Sequence, residues 1–404
     1  MNHIPVAIIG AGPAGLTLAH LLHLQGIESI VFEKRTRKEV EETVRAGILE
    51  QGTLNLMRET GVGARMEAEA DHDEAIDISI NGERIRIPLT EITGHKVAIY
   101  PQHEYLKDFI AKRLEDGGEL LFSTTVDAVE GTGGTGGTEG FDNDKVKVVY
   151  TEADGSSTTI SADYVIAADG SSSPYRKIIT EGSGVRARHE YPYAWFGILV
   201  EAAKTQKELI YATHPEGFAL ISTRTDTVQR YYLQCDPNDT PDMWSDDRIW
   251  EQLHLRADSP GITVSEGKIF DKAVLRFRSA VTEPMQKGRL FLAGDAAHTV
   301  PPTGAKGLNL AVADVSVLAP GLVRALKKKD SALLDDYTKL ALPRVWKAQH
   351  FSYWMSSMLH AVPDEDYFAT QRRFAELHSV LGSEAGQRYL AEQYVGRDLP
   401  RFEV

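Results

Sequence analysis

Pro5–Glu33, PVAIIGAGPAGLTLAHLLHLQGIESIVFE, decides the fold of this 404-residue chain. Pro5–Gly10 is a short apolar run of the kind that forms a buried strand. Gly10-Ala-Gly12-Pro-Ala-Gly15 follows without a gap and opens the helical pattern Leu16–Gln25, which Gly26 stops. Ser29–Phe32 reads as a second strand and ends at Glu33. Strand, tight turn, helix, strand and acidic residue form the full setting in which G-x-G-x-x-G signals dinucleotide binding. Gly10 permits the turn, Gly12 lets the backbone approach a pyrophosphate, and Gly15 allows close helix–strand packing. Glu33 is placed to accept from a ribose hydroxyl. The fold class that follows is α/β, with a Rossmann-like cofactor domain.

A second stretch, Gly288–Asp314, GRLFLAGDAAHTVPPTGAKGLNLAVAD, supplies the other half of such a site. Leu290–Ala293 reads as a buried strand, Gly294 turns the backbone, and Asp295 sits at the strand's carboxyl end, where open α/β sheets bind ligands. A Pro- and Gly-bearing loop then leads into a helical pattern from Leu308, whose first N–H groups and positive dipole end suit an anionic or electron-accepting ring. Ala162–Gly170, ADYVIAADG, is a third strand ending in Asp169-Gly170.

Composition sets bounds on the rest. The chain is 42% hydrophobic and 25% charged, ordinary for a globular protein, and its length favours two joined domains. A net charge of -14 argues against nucleic-acid or anionic-membrane partners. The start lacks a signal peptide's pattern, and no apolar run is expected to reach the roughly 20 residues of a membrane helix, so a cytoplasmic location is expected. Cys235 is the only cysteine, which excludes an intrachain disulfide and a cysteine metal cluster, and no metal site is expected.

The basic cluster Lys34-Arg35-Thr-Arg37-Lys38 follows the ribose position. It reads as a solvated loop or as a dock for a 2′-phosphate, with Glu39, Glu41 and Glu42 pulling the other way. Arg45-Ala-Gly-Ile-Leu-Glu is expected to begin a helix closed at Gly61, and Pro101-Gln102 another. Gly131–Gly140 is low-complexity and reads as a hairpin tip. From about Val185 to Ile269 the pattern is strand-rich, including Glu208–Ala212 and Arg230–Gln234. Beyond Ala319 helical patterns dominate, among them Leu333–Leu342 and Trp346–Leu359. Ser222 and Arg224 lie two apart on an expected strand and share one face, so a hydroxyl and a planar guanidinium could together hold a carboxylate. The expected division is a cofactor domain over 1–180 with inserted strands at about 76–100, a mixed-sheet substrate domain over 181–269, a return to the cofactor domain over 270–320, and a helical region over 321–404.

These segments, with Gly217–Arg224, Leu209-Ile-Tyr211-Ala and Tyr394-Val-Gly396, resemble the class A flavoprotein aromatic hydroxylases over nearly the whole chain, and among them the group acting on 4-hydroxybenzoate. The resemblance implies an FAD enzyme that takes electrons from NADPH or NADH, consumes O2, and hydroxylates the ring beside a phenol oxygen to give 3,4-dihydroxybenzoate. For the cofactor it implies Gly10, Gly12, Gly15, Glu33, Arg45, Gln102, Asp169, Arg230, Gly294, Asp295, Leu308 and Asn309. For the reductant it implies Arg35, Arg37, Arg45, Ser172 and Arg278; Ser172 stands where the family has a histidine on the nicotinamide path, a departure that bears on reductant binding.

Ser222, Arg224 and Tyr232 would bind the aromatic carboxylate, with Thr303 also in the pocket. Tyr211, Tyr394, the Pro302 carbonyl and the positive field of Lys306 would handle the phenol at the other end. His72 lies one position from the family's proton-relay histidine and reads as a surface residue. A small aromatic acid is the expected partner, with a homodimer contact in the C-terminal helices. The alternatives are a related hydroxylase for another phenolic acid and a flavin-binding redox sensor without turnover.

Overall fold

The computed structural model describes residues 2–45, 47–131 and 145–403. Of Gly131–Gly140, all but Gly131 lies outside them. The strand–turn–helix–strand reading corresponds to strand Asn2–Ile9, helix Pro13–Leu24 and strand Ser29–Phe32. Asn2–Ile9 pairs in parallel with Ser29–Phe32 on one side and with Ser157–Ala167 on the other. Beyond these lie Glu119–Leu121 at one edge and Leu290–Leu292, then Gln286–Lys287, at the other. Val6, Ala7 and Ile8 are wholly buried, as expected of a parallel strand covered on both faces. Helix Pro13–Leu24 packs against both Gly307–Val323 and Gln102–Glu115.

Register brings Ile9 beside Ala167 and Ala167 beside Leu292. Three carboxyl ends therefore line up, each followed at once by a glycine-bearing turn: Gly10, Asp169-Gly170 and Gly294-Asp295.

The second sheet runs in the order His298–Thr299, Lys268–Glu283, Val185–Glu201, Val228–Cys235, Gly217–Thr225, Ile210–His214, Ile76–Ile80 and Glu83–Ile87. Its pairs are antiparallel except one: Ile210–His214 runs parallel to Ile76–Ile80, with Tyr211 opposite Ile78. The early hairpin Ile76–Ile87 is thus an integral edge of the later sheet. A small third sheet joins Ile48–Leu49, Val97–Ile99 and Asp71–Asp73. Helices Tyr337–Leu359, Tyr367–Leu381 and Glu384–Val395 close the chain.

Several local expectations change. The helix expected from Arg45 begins only at Gln51, because Ile48–Leu49 is a strand paired with Val97–Ile99. Gly47 belongs to this close approach, since a Cβ there would lie 2.1 Å from the Tyr100 carbonyl oxygen. The basic cluster opens a short helix, Arg37–Glu42, under a Thr36/Glu39 capping box. The strand-rich segment contains a helix, Asp246–Ala257, capped by Ser245 and burying Ile249, Leu253 and Ala257 at helical spacing. Leu333–Leu342 is not one helix but Ala332–Asp335 followed by the start of Tyr337–Leu359. Among the described residues one helix, Gly307–Lys328 with 22 residues, is long and apolar enough to cross a membrane, contrary to the sequence expectation, but 89% of its apolar window is buried inside the protein.

Candidate active site

A cleft of about 490 Å³ opens at the three aligned carboxyl ends. Gly10, with φ at +107°, makes the first turn, where a Cβ would sit 2.3 Å from the Ala168 oxygen. A Cβ at Gly15 would lie 2.0 Å from the Gly10 oxygen, so both positions require glycine. Gly12 is different: its missing side chain leaves an open face on the cleft. Helices Pro13–Leu24 and Gly307–Val323 both start at this cleft without a side-chain cap, so their first N–H groups are presented to it.

Glu33 accepts from the Ala11 N–H at 3.0 Å and from the Arg35 N–H and Nε at 3.0 Å. Asp169 lines the cleft with a buried Oδ1 that has no partner, and burial raises its pKa above the ordinary range. Uncapped helix starts and an orphaned carboxylate oxygen fit a dinucleotide with hydroxyl donors. Arg45, Gln102, Ser172, Gly294, Asp295 and Leu308 also border this cleft. Burial holds the Asp295 carboxyl above its usual pKa despite the charges of His298, Arg45, Arg176 and Arg278.

On the second sheet, Arg224 sits at a bulge between Thr223 and Thr225, opposite the strand that carries Arg230 and Tyr232. The Nε atoms of Arg224 and Arg230 are both buried without hydrogen-bond partners. Neither arginine is in an ion pair among the described residues. Burial lowers the pKa of Arg224, and neighbouring Arg230 lowers it further, while the Tyr232 phenol opposes both. The Arg230 guanidinium also lies 5.4 Å from the Tyr232 ring centroid. Ser222 Oγ donates to the Arg230 carbonyl at 3.1 Å, which leaves its lone pairs, and not its proton, for other contacts.

Tyr211 and Tyr394 meet through their hydroxyls at 2.8 Å, both fully enclosed in the core between the sheet and the last helix. The Tyr211 hydroxyl also approaches the Thr303 carbonyl at 3.4 Å. Burial, the dominant influence, pushes both phenols well above their usual pKa, so both stay protonated at neutral pH. Pro302 opens the turn Pro302–Gly304, and its carbonyl already accepts from the Ala305 N–H at 2.9 Å, leaving one lone pair.

Four of the expected site residues already have partners within the protein. Lys306 is not an uncompensated cation: its Nζ pairs with Glu50 at 2.7 Å, both buried, and also donates to the carbonyls of Gln393 and Tyr394. Asn309 uses its side chain internally. Its Oδ1 accepts from the Glu50 N–H and the Thr53 hydroxyl, and its Nδ2 donates to the Ile48 and Ala305 carbonyls. The amide therefore ties segment 48–53 to the helix start and faces a separate cavity of about 240 Å³ beside Lys306. Arg35 pairs with Glu33 at 3.0 Å and Arg37 with Glu41 at 2.6 Å, so each of the two arginines expected at a reductant phosphate has an acidic partner.

Sequence reasoning missed the positioning roles of three residues. Asp314 accepts from the Gly294 N–H and from His298, each at 2.8 Å, which pins the Gly294-Asp295 turn. Burial works against charge on His298, yet the pair with Asp314 leaves its pKa raised. Arg176 gathers the carbonyls of Gly170, Ser171, Asp295 and Ala296, joining two of the three turns. Only the closed fold makes these contacts, since Arg176 and Ala296 are 120 positions apart. Asp314, buried in an apolar helix, was the one available signal.

The model of the FAD binding domain family matches residues 3–352. The chain is 39% identical over 393 residues to a p-hydroxybenzoate hydroxylase of Acinetobacter baylyi, covering 97% of this chain and 95% of that protein. It is 28% identical to a 4-methyl-5-nitrocatechol 5-monooxygenase of a Burkholderia species, covering 96% and 72%. Among solved structures, p-nitrophenol 4-monooxygenase from Pseudomonas putida superposes with a TM-score of 0.78 at 19% identity, covering 98% of this chain and 100% of that one.

Proposed function

The chain belongs to the FAD binding domain family and is a flavin-dependent aromatic monooxygenase; within that class we propose that it hydroxylates 4-hydroxybenzoate beside the phenol oxygen, giving 3,4-dihydroxybenzoate. The observation that carries the substrate reading is the Arg224/Arg230 pair. Two neighbouring guanidinium groups with buried, unpartnered Nε atoms and no ion pair among the described residues call for an anionic ligand. The tyrosine pair supplies the complementary end, a proton path for a phenol. FAD, when bound, takes the reductant's electrons and activates O2. The protein's own residues bind the carboxylate, orient the ring, exclude water and move the phenolic proton.

Holoenzyme should be yellow, with FAD released on denaturation, and 4-hydroxybenzoate should stimulate reductant oxidation with stoichiometric 3,4-dihydroxybenzoate. NADPH is the reductant proposed, on Lys34 and Lys38, which form no ion pair among the described residues; running the assay with NADH as well tests this. Another phenol giving coupled product while 4-hydroxybenzoate gives none would remove the substrate assignment. Reducible flavin without any hydroxylated product would favour a redox sensor.

A homodimer is also proposed. Trp346, Tyr353, Tyr367 and Phe368 on the C-terminal helices are 46%, 48%, 80% and 75% exposed, a concentration of aromatic surface that association would cover. Sedimentation should give twice the 44.6 kDa chain mass; a stable monomer at micromolar concentration contradicts it.

A further inference from the structure

The cavity of about 240 Å³ beside Lys306 shares no lining residue with the cofactor cleft, and neither Tyr211 nor Tyr394 borders it. One wall is a single face of helix Tyr337–Leu359, where Leu340, Pro343, Arg344, Lys347, Ala348 and Phe351 follow one another at helical spacing. The facing wall is the end of helix Glu384–Val395 with Gly396 and Arg397. Glu50, Lys306 and Leu310 are its buried members, while Lys347, Glu392 and Arg397 are exposed and stand at its mouth. Four cations and two carboxylates thus border it, a positive excess on a chain whose net charge is -14.

Lys306 is committed to Glu50, but none of Arg344, Lys347 and Arg397 is in an ion pair among the described residues. The half-buried Arg344 side chain donates to the carbonyls of Arg397 and Asp398. Burial, the largest influence, lowers its pKa, and the charge of Arg397 lowers it further against those of Glu50, Asp314 and Asp398. A guanidinium so placed gains from an anion that completes its hydrogen bonds and offsets its neighbours. The rest of the lining is apolar. Leu310, Leu340, Pro343 and Ala348 offer no side-chain donor, and Phe351 presents a ring whose centroid lies 5.0 Å from Lys306 Nζ. The volume is below the roughly 300–1,000 Å³ of pockets that take drug-sized ligands, so the space suits a single ring.

We propose that this cavity is a second, non-catalytic binding site for a one-ring aromatic carboxylate. The ring lies against Phe351, Leu310 and Leu340, and the carboxylate lies among Arg344, Lys347 and Arg397. No bond is made or broken there. The site is separate from the Arg224/Arg230 pair and stands whether or not that pair holds the substrate. A ligand seated here bridges helix Tyr337–Leu359 and the segment after Val395, so its binding should stabilise the fold.

The test measures binding of benzoate, which has no phenol oxygen to direct hydroxylation, to FAD-loaded protein by equilibrium dialysis. Arg224→Ala should still bind benzoate, and benzoate should raise its melting temperature. Adding Lys347→Gln and Arg397→Gln, both at exposed positions, should weaken that binding at least about tenfold and remove the thermal shift, with FAD content unchanged. Arg344→Gln should weaken it likewise, and Arg344→Lys should recover part of the loss. Acetate at equal concentration should not displace the benzoate, because it lacks the ring. No benzoate bound to Arg224→Ala, or binding that ignores the cations at the mouth, overturns the proposal. Displacement by acetate as effective as by unlabelled benzoate also overturns it, since the site would then read charge alone. Parent and Arg224→Ala binding benzoate alike, both losing it with Lys347→Gln and Arg397→Gln, would sink the Arg224 carboxylate reading and leave this site standing.

Discussion

Tyr211→Phe is expected to bind FAD and accept electrons from the reductant normally, yet to form hydroxylated product roughly 10²-fold more slowly, releasing peroxide instead. The reaction needs an electron-rich ring, and a phenolate is far richer than a phenol. A free phenol ionises near pH 10, so at neutral pH the protein must take the proton itself. Tyr211 is the member of the buried pair that also reaches Thr303 and the Pro302–Gly304 turn. Phenylalanine keeps the ring packed against Phe218 and Tyr394 while removing the hydroxyl link at 2.8 Å. The Tyr394 hydroxyl would lose the one side-chain partner it has among the described residues, a destabilisation of about 1–3 kcal/mol for a buried orphaned group. Stability loss alone would lower FAD content and product together. A proton-path defect leaves flavin reduction intact and moves only the coupling ratio. Parental coupling in this variant would show that the tyrosines merely fill space.

The second large effect is expected at Arg224. Its removal would leave the substrate carboxylate without its planar donor and leave Arg230 as the nearer cation, held over the Tyr232 ring. Breaking a buried charge pair costs about 3–5 kcal/mol, which is roughly 10²- to 10⁴-fold in Kd. The discount for partial exposure points to the lower half of that range, because Arg224 is only half-buried as a residue although its Nε is enclosed. Arg224→Ala should therefore weaken 4-hydroxybenzoate binding at least about 10²-fold, with FAD content unchanged, since Arg224 does not border the cofactor cleft. Arg224→Lys should recover only part of the loss, because an ammonium keeps the charge but not the two-pronged geometry. Unchanged affinity in Arg224→Ala would move the carboxylate site elsewhere. In free enzyme the same variant relieves repulsion with Arg230, so its melting temperature should not fall in proportion to the binding loss.

The sequence by itself determined the cofactor half of this protein. Gly10, Gly15 and Gly294 are local necessities, set by turn geometry and by backbone approaches of a few ångströms, and such demands show in one residue type at one position. Apolar strand runs and helical spacing likewise fixed the α/β class, because period and burial are written along the chain. The tertiary structure alone decided which charges are free. Glu50 with Lys306 turns an expected functional cation into a buried ion pair. By the same logic Arg224 and Arg230 stand out only once the fold leaves them without an acid. Coulomb energies fall with separation and depend on burial, neither of which a linear order encodes when partners lie 256 positions apart, as Glu50 and Lys306 do.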